Sequence, residues 1–219
     1  MSDLLREVDD AVRADNMKRL WDEHKTAIVT GVAALILGTA AMSFWNNWQY
    51  NQNQKHTGEI LMAAQSKEPA KALTDVAKTQ SGNGQTIAYL NAASIDLKAG
   101  DKQKALEAYT AAQHTKSSDD TLRDLATLQK VNLSLDLNKD IKTEDLLKDL
   151  KPIADNEKSP WQGEAIFMTA FLKGEKNKDY TGAAGDLKSI QDRADITESI
   201  KQRAAALQSV YDMKSQEKK

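Results

Sequence analysis

The residues best equipped for chemistry are few, and each falls short of a working set. Asp136, Asn138 and Asp140 have the spacing that opens a calcium loop, where alternating side-chain oxygens converge on a divalent cation. The sixth position is Ile141, where such a loop turns on glycine, and the twelfth is Leu147, where a bidentate Glu completes the shell. Gly82-Asn83-Gly84 has the flexibility of a phosphate loop, yet no strand pattern precedes it and no Gly-Lys-Ser/Thr follows; it reads as a helix-breaking turn. His24, His56 and His114 form no i,i+4 pair of the kind that holds a metal on a helix. Cysteine is absent, which excludes a disulfide, a thiolate nucleophile and a Cys-based metal site. Carboxylates abound, but no pair is singled out as a general acid and base. A tethered hydrolase would need such a pair in a pocket, so the sequence points away from an enzyme. No catalytic residue, cofactor or metal ligand is assigned.

The chain has 219 residues, with 30 Lys and Arg against 32 Asp and Glu and a net charge of -2. No basic run offers the positive stripe that a nucleic-acid binder needs, so nucleic acid is not expected as a partner. What organises the sequence is apolar patterning. From Thr26 to Trp45 no charge occurs, and twenty helical residues cover roughly 30 Å, the thickness of the hydrocarbon core. Arg6, Arg13, Lys18, Arg19 and Lys25 precede this stretch, and Lys55 is the first basic residue after it, so the N-terminus is predicted to be cytoplasmic. Trp21 on one side and Trp45, Trp48 and Tyr50 on the other suit the two interfaces. The long, acid-rich leader favours an uncleaved signal anchor over a cleaved signal peptide. Gly31, Ala34, Gly38 and Ala41 recur at three- and four-residue steps and form a candidate transmembrane packing face, although Gly and Ala are common in any span.

Four segments follow: a cytoplasmic amphipathic stub (1–25), a transmembrane signal anchor (26–45), a connecting helical segment (46–84) and a helical-repeat domain (85–219). In the stub, Leu5, Val8 and Val12, then Met17, Leu20 and Trp21, have helical spacing. Past the anchor the periodicity stays helical and no alternating strand pattern emerges. Ile87, Leu90, Ala93 and Leu97 precede a Gly100-Asp101 turn, and Ala105, Leu106, Tyr109 and Ala112 follow it, which predicts a helical hairpin. Further hairpins are expected over 121–150 and 160–192, the last with Ser159 as cap and Pro160 at its start. Asp195 with Glu198 resembles a capping box opening a final helix. A pair of about 34 residues buries only part of its surface, so stacking is expected.

Residues 86–119 resemble the tetratricopeptide signature: Tyr89, Ala93, Gly100-Asp101, Ala105, Leu106, Tyr109 and Ala112 fall at its offsets. Asp96 departs from it, standing where the signature prefers an aromatic. A weaker match has Phe167, Tyr180, Ala183 and Leu187, with a turn, Gly174 to Asp179, that lacks the usual glycine. The fold class is therefore all-α: a single N-terminal transmembrane helix followed by a tetratricopeptide-like α-solenoid of about three to four helix pairs.

The opening SDLLREVDDAVRADNMKRLW, the single anchor, Trp45 and Trp48 after it, the degenerate hairpins and the Ser159-Pro160-Trp161 element together resemble the ancillary subunit family of the SecYEG translocon (YfgM type). The resemblance covers essentially the whole chain. It implies a single-pass protein of the Gram-negative inner membrane, with its C-terminal domain in the periplasm. It also implies association with the SecYEG channel, with a membrane-anchored periplasmic chaperone of the prolyl isomerase class, and with translocating polypeptides. No catalytic residue is carried over. The alternative is a membrane-anchored scaffold that organises another envelope or division complex.

In a tetratricopeptide stack the first helix of each pair lines the concave side, so Ile87, Leu90, Ser94, Leu97 and Lys98 are the candidate partner groove. Apolar anchors in a polar wall suit an extended peptide. The competing reading is packing against a neighbouring helix, with segment 60–80 folded back over the groove.

Overall fold

A computed structural model of the chain describes residues 42–43, 55–137 and 142–216. The chain divides into two units, Met1–Lys55 and His56–Lys219. Among the described residues every regular element is a helix, and no helix is long and apolar enough to cross a membrane. The expected stub and all of the expected anchor except Met42 and Ser43 lie outside the described residues.

Residues 55–64 form helix α1, followed by α2 (Pro69–Thr79), α3 (Gly82–Lys98), α4 (Lys102–Gln113), α5 (Asp120–Asp136), α6 (Thr143–Ala154), α7 (Gln162–Glu175), α8 (Tyr180–Gln191) and α9 (Glu198–Gln216). From α2 onward consecutive helices pack on one another, α3 also touches α5, and α7 touches α9. The buried core runs through the stack as three successive clusters. Leu73, Ala92, Ala93, Ala105, Leu106 and Tyr109 build the first, with Leu133 reaching in from α5. Leu128, Val131, Leu146, Leu150, Met168 and Leu172 build the second, and Ala183, Leu187, Ile190, Ala204 and Tyr211 the third. Each helix buries its stripe against neighbours in the chain, the quasi-one-dimensional logic of repeat folds. α1 and α2, expected as a connecting segment, share the first cluster with α3 and α4.

Turn chemistry explains the boundaries. Gly100 adopts φ +83, its N–H donates to Leu97 O at 3.1 Å, and Asp101 N donates to Asp96 O at 2.9 Å. These two bonds form a Schellman cap, which needs the left-handed residue that glycine supplies. Asp101 then caps α4, its Oδ1 accepting from Lys104 N at 3.1 Å. The turn before α8 reuses part of the design. Lys178, eleven residues after Phe167 as Gly100 is after Tyr89, takes φ 58, and Asp179 Oδ1 accepts from Gly182 N at 2.9 Å. The glycine absent from this turn is thus replaced by a lysine held in the left-handed region.

Three boundaries differ from expectation. Ser159 and Pro160 do not open α7: Pro160 and Trp161 lie in a turn, and the helix starts at Gln162. Ser159 Oγ accepts from Trp161 N at 3.3 Å within this turn and donates to Asp124 Oδ2 at 2.6 Å, while Trp161 Nε1 donates to Thr121 O at 3.0 Å, fastening the turn to the start of α5. Asp195 does not cap α9, because Arg193 holds its carboxylate through Nε at 3.0 Å and Nη2 at 2.7 Å. Thr197 O accepts the first helical bonds from Ile200 and Lys201. Gly82-Asn83-Gly84 forms the first turn of α3 rather than a break, the interruption being confined to Gln80 and Ser81. There Gln80 Nε2 donates to His56 O at 3.1 Å and Glu59 Oε2 at 3.0 Å, and a Cβ on Gly84 would lie 2.5 Å from Gln80 Oε1.

Candidate interaction surface

α3 carries apolar residues on its exposed side as well as its buried one. Its buried residues, Thr86, Ala88, Ala92 and Ala93, are small, so α2 and α4 approach closely on one side. On the other side Ile87 and Leu97 are 37% and 39% exposed, with Lys98 exposed beside them. Asn91 is exposed within this row, its Nδ2 donating to Ile87 O at 2.8 Å. Ser94 is partly buried. Leu90 turns inward and packs against the first core cluster. Of the five residues singled out by sequence, Ile87, Leu97 and Lys98 are therefore presented to solvent, Ser94 borders them, and Leu90 belongs to the packing. The segment expected to compete for this face shares the first core cluster with Leu90, through Ile60, Ala63, Leu73 and Val76, and leaves Ile87 and Leu97 partly exposed.

Two further apolar exposures carry no repeat signature and were not singled out by sequence. Leu61 and Met62 are exposed on α1, and Val210 and Met213 on α9. The signal available was helical phase: Ile60 and Ala63 point into the core, which turns Leu61 and Met62 outward.

Between α2, α3 and α4 lies a groove of about 810 Å³ whose walls include Pro69, Ala70, Tyr89, Ile95, Ala108 and Ala111. Asp96 is part of its lining, and partial burial together with nearby Asp101 raises its carboxyl above the usual range, against the pull of Lys104. Asp124 is likewise raised, chiefly by burial and opposed by the Ser159 hydrogen bond, whereas Asp101 and Asp195 are lowered by their Lys104 and Arg193 partners. Asp124 fastens the turn ahead of α7 to α5.

Among the described residues no cluster of three or more His, Asp or Glu is arranged to hold a metal ion. In the calcium-like stretch, Asp136 pairs with Lys102 at 2.5 Å, and Asn138 and Asp140 lie outside the described residues. The candidate transmembrane packing face, Gly31, Ala34, Gly38 and Ala41, also lies outside them.

A stack of helix pairs with repeated left-handed turns, small residues at the helix crossings and an uncovered row on a first helix defines a helical-repeat interaction module. Residues 18–165 match the tetratricopeptide repeat-like domain family, and the chain belongs to that family. Domains of this kind generally mediate protein–protein interaction. The match takes in α1 to α6 and ends at Ala165 in α7. Comparison with curated proteins and with solved structures returned no match.

Proposed function

We propose that this protein is a non-enzymatic accessory subunit of the SecYEG export channel. In this reading residues 26–45 anchor it in the inner membrane, and the repeat domain faces the periplasm. There the domain links the channel to a membrane-anchored prolyl isomerase-type chaperone and assists the hand-over of translocated chains. The observation that carries the interaction role is the Ile87, Leu97 and Lys98 row, an apolar pair beside a cation that α2 leaves uncovered. The anchor and the opening sequence support the location. Tethering both partners in one membrane raises their effective concentration, so modest surfaces suffice.

The reading is tested by affinity isolation of the full chain from detergent-solubilised membranes, native against Ile87→Asp/Leu97→Asp. Recovery of channel subunits and chaperone with the native chain, and loss of one of them with the variant, is the expected result. Equal recovery from both would remove the α3 row from the account. Recovery of a different envelope assembly would replace the export role with the scaffold reading.

A further inference from the structure

Asp96 breaks the repeat signature at the position that prefers an aromatic, seven residues after Tyr89. The same position in the C-terminal repeat, seven after Phe167, is Gly174. There the missing side chain is compensated from within the chain: Tyr211 of α9 lays its fully buried ring against Gly174, where a Cβ would come within 2.3 Å of Tyr211 Cζ. Among the described residues no comparable filling occurs at Asp96, which lines the groove between α2, α3 and α4.

The charges around that groove narrow what fits. Each rim lysine is already paired on its own helix or cap: Lys71 with Glu68 at 3.6 Å, Lys78 with Asp75 at 3.2 Å and Lys104 with Asp101 at 2.7 Å. Glu107 accepts from Gln103 Nε2 at 2.9 Å. Among the described residues the Asp96 carboxylate has no hydrogen-bond or ion-pair partner. An anionic occupant would face the carboxylates of Glu68, Asp75, Asp96 and Glu107 along the lining. A purely apolar one would strip water from an unpaired carboxylate. A cation on an apolar stem meets both demands, because its methylenes can lie along Ile95, Ala108 and Ala111 while its head group reaches the carboxylate.

We propose that the α2–α3–α4 groove is a second docking point that receives a lysine or arginine side chain of a partner polypeptide, with Asp96 as its counter-charge. This rests on reading the stack as a protein-binding scaffold. It concerns a different face of α3 from the Ile87 row, so it can fail while the channel contact stands, and the reverse.

The test uses the full chain in detergent with ¹³C-methyl alanine labels, titrated with the peptide Ac-Leu-Arg-Leu-amide. The neutral analogue carrying citrulline and the acidic Ac-Leu-Glu-Leu-amide are titrated in parallel. The expected result is saturable shifts of the Ala99, Ala108 and Ala111 methyls with the arginine peptide. Citrulline and the Asp96→Asn chain should each weaken binding at least tenfold. Ala111→Trp, which obstructs the groove without touching the charge, should abolish the shifts of the Ala99 and Ala108 methyls that remain. An unchanged thermal midpoint for either variant separates loss of binding from loss of fold. Equal affinity for arginine and citrulline, preference for the acidic peptide, full binding by a folded Asp96→Asn chain, or no shift at the three alanines would overturn the proposal.

Discussion

Replacing Gly174 by alanine places a methyl where the structure has no room. The added Cβ would lie 2.3 Å from Tyr211 Cζ, 2.6 Å from Cε2 and 2.7 Å from the hydroxyl oxygen. The ring has little freedom to retreat, being fully buried, with Tyr180 at 5.7 Å between ring centroids and the Lys214 ammonium 5.8 Å from its centroid. Lys214 is itself paired with Glu175 at 3.2 Å. Two effects oppose each other. Alanine is better than glycine inside a helix by about 1 kcal/mol, and overpacking a tight contact costs about 1–3 kcal/mol. With contacts this short the upper end of the overpacking range applies, leaving a net loss of about 2 kcal/mol. At about 2–4 °C per kcal/mol for a chain of this size, the thermal midpoint should fall by roughly 4–8 °C. Gly185→Ala is the matched control, since nothing lies within 4 Å of the new methyl on α8 and only the propensity gain of up to about 1 kcal/mol remains. Urea unfolding of both variants, repeated in a Tyr211→Ala background, isolates the clash as a coupling between the two sites. If Gly174→Ala matched Gly185→Ala, or its cost persisted without the Tyr211 ring, the placement of α9 as the cap on α7 and α8 would be wrong.

Three further outcomes follow from the same geometry. Lys178→Gly should raise the unfolding midpoint by about 0.5–1 kcal/mol equivalent and Gly100→Ala should lower it by about 1 kcal/mol, because both positions need a left-handed residue; differential scanning calorimetry reads both. Burial holds the Asp124 carboxyl above its ordinary value near 4, so the folded state keeps its proton more tightly than the unfolded chain. Its contribution is fully present below that ordinary value and fades as pH rises through the folded one; Asp124→Asn, which still offers an oxygen to Ser159, should flatten the pH dependence of the urea midpoint and be at least as stable as the native chain at pH 7. Leu150→Ala should cost about 2–5 kcal/mol by emptying the second core cluster, whereas Ile87→Ala should fall within about 0.5 kcal/mol of the native chain in the same denaturation assay, as expected of a residue kept for a partner.

What the sequence revealed and what it hid divide along the range of the interactions. The α3–α4 hairpin was legible because its signals are local: helical phase on either side, Gly100 for the left-handed turn and Asp101 for the next cap. The helix starts at Ser159 and Asp195 were misplaced because a capping residue is recognised by type, and type does not reveal a competing partner. Asp195 is taken by Arg193, and Ser159 Oγ, while donating to Asp124 35 residues earlier, accepts from Trp161 N in a turn that precedes the helix. Gly174 looked like part of a turn because the reason for its smallness, Tyr211, sits 37 residues further on in another helix. Of the groove residues, Ile87, Leu97 and Lys98 are exposed, an outcome that the sequence left open against packing on a neighbouring helix. The inward lean of Leu90 follows from how α3 meets α4 and α5, which the spacing along α3 alone does not encode.

The most direct test of the export role is photocrosslinking in intact cells, with a photoreactive residue at Val32 or Leu35 in the predicted span and at Ile87 on the open face of α3. The account predicts channel adducts from the span, and chaperone or exported-chain adducts from Ile87. Adducts confined to other envelope proteins at both positions would contradict it.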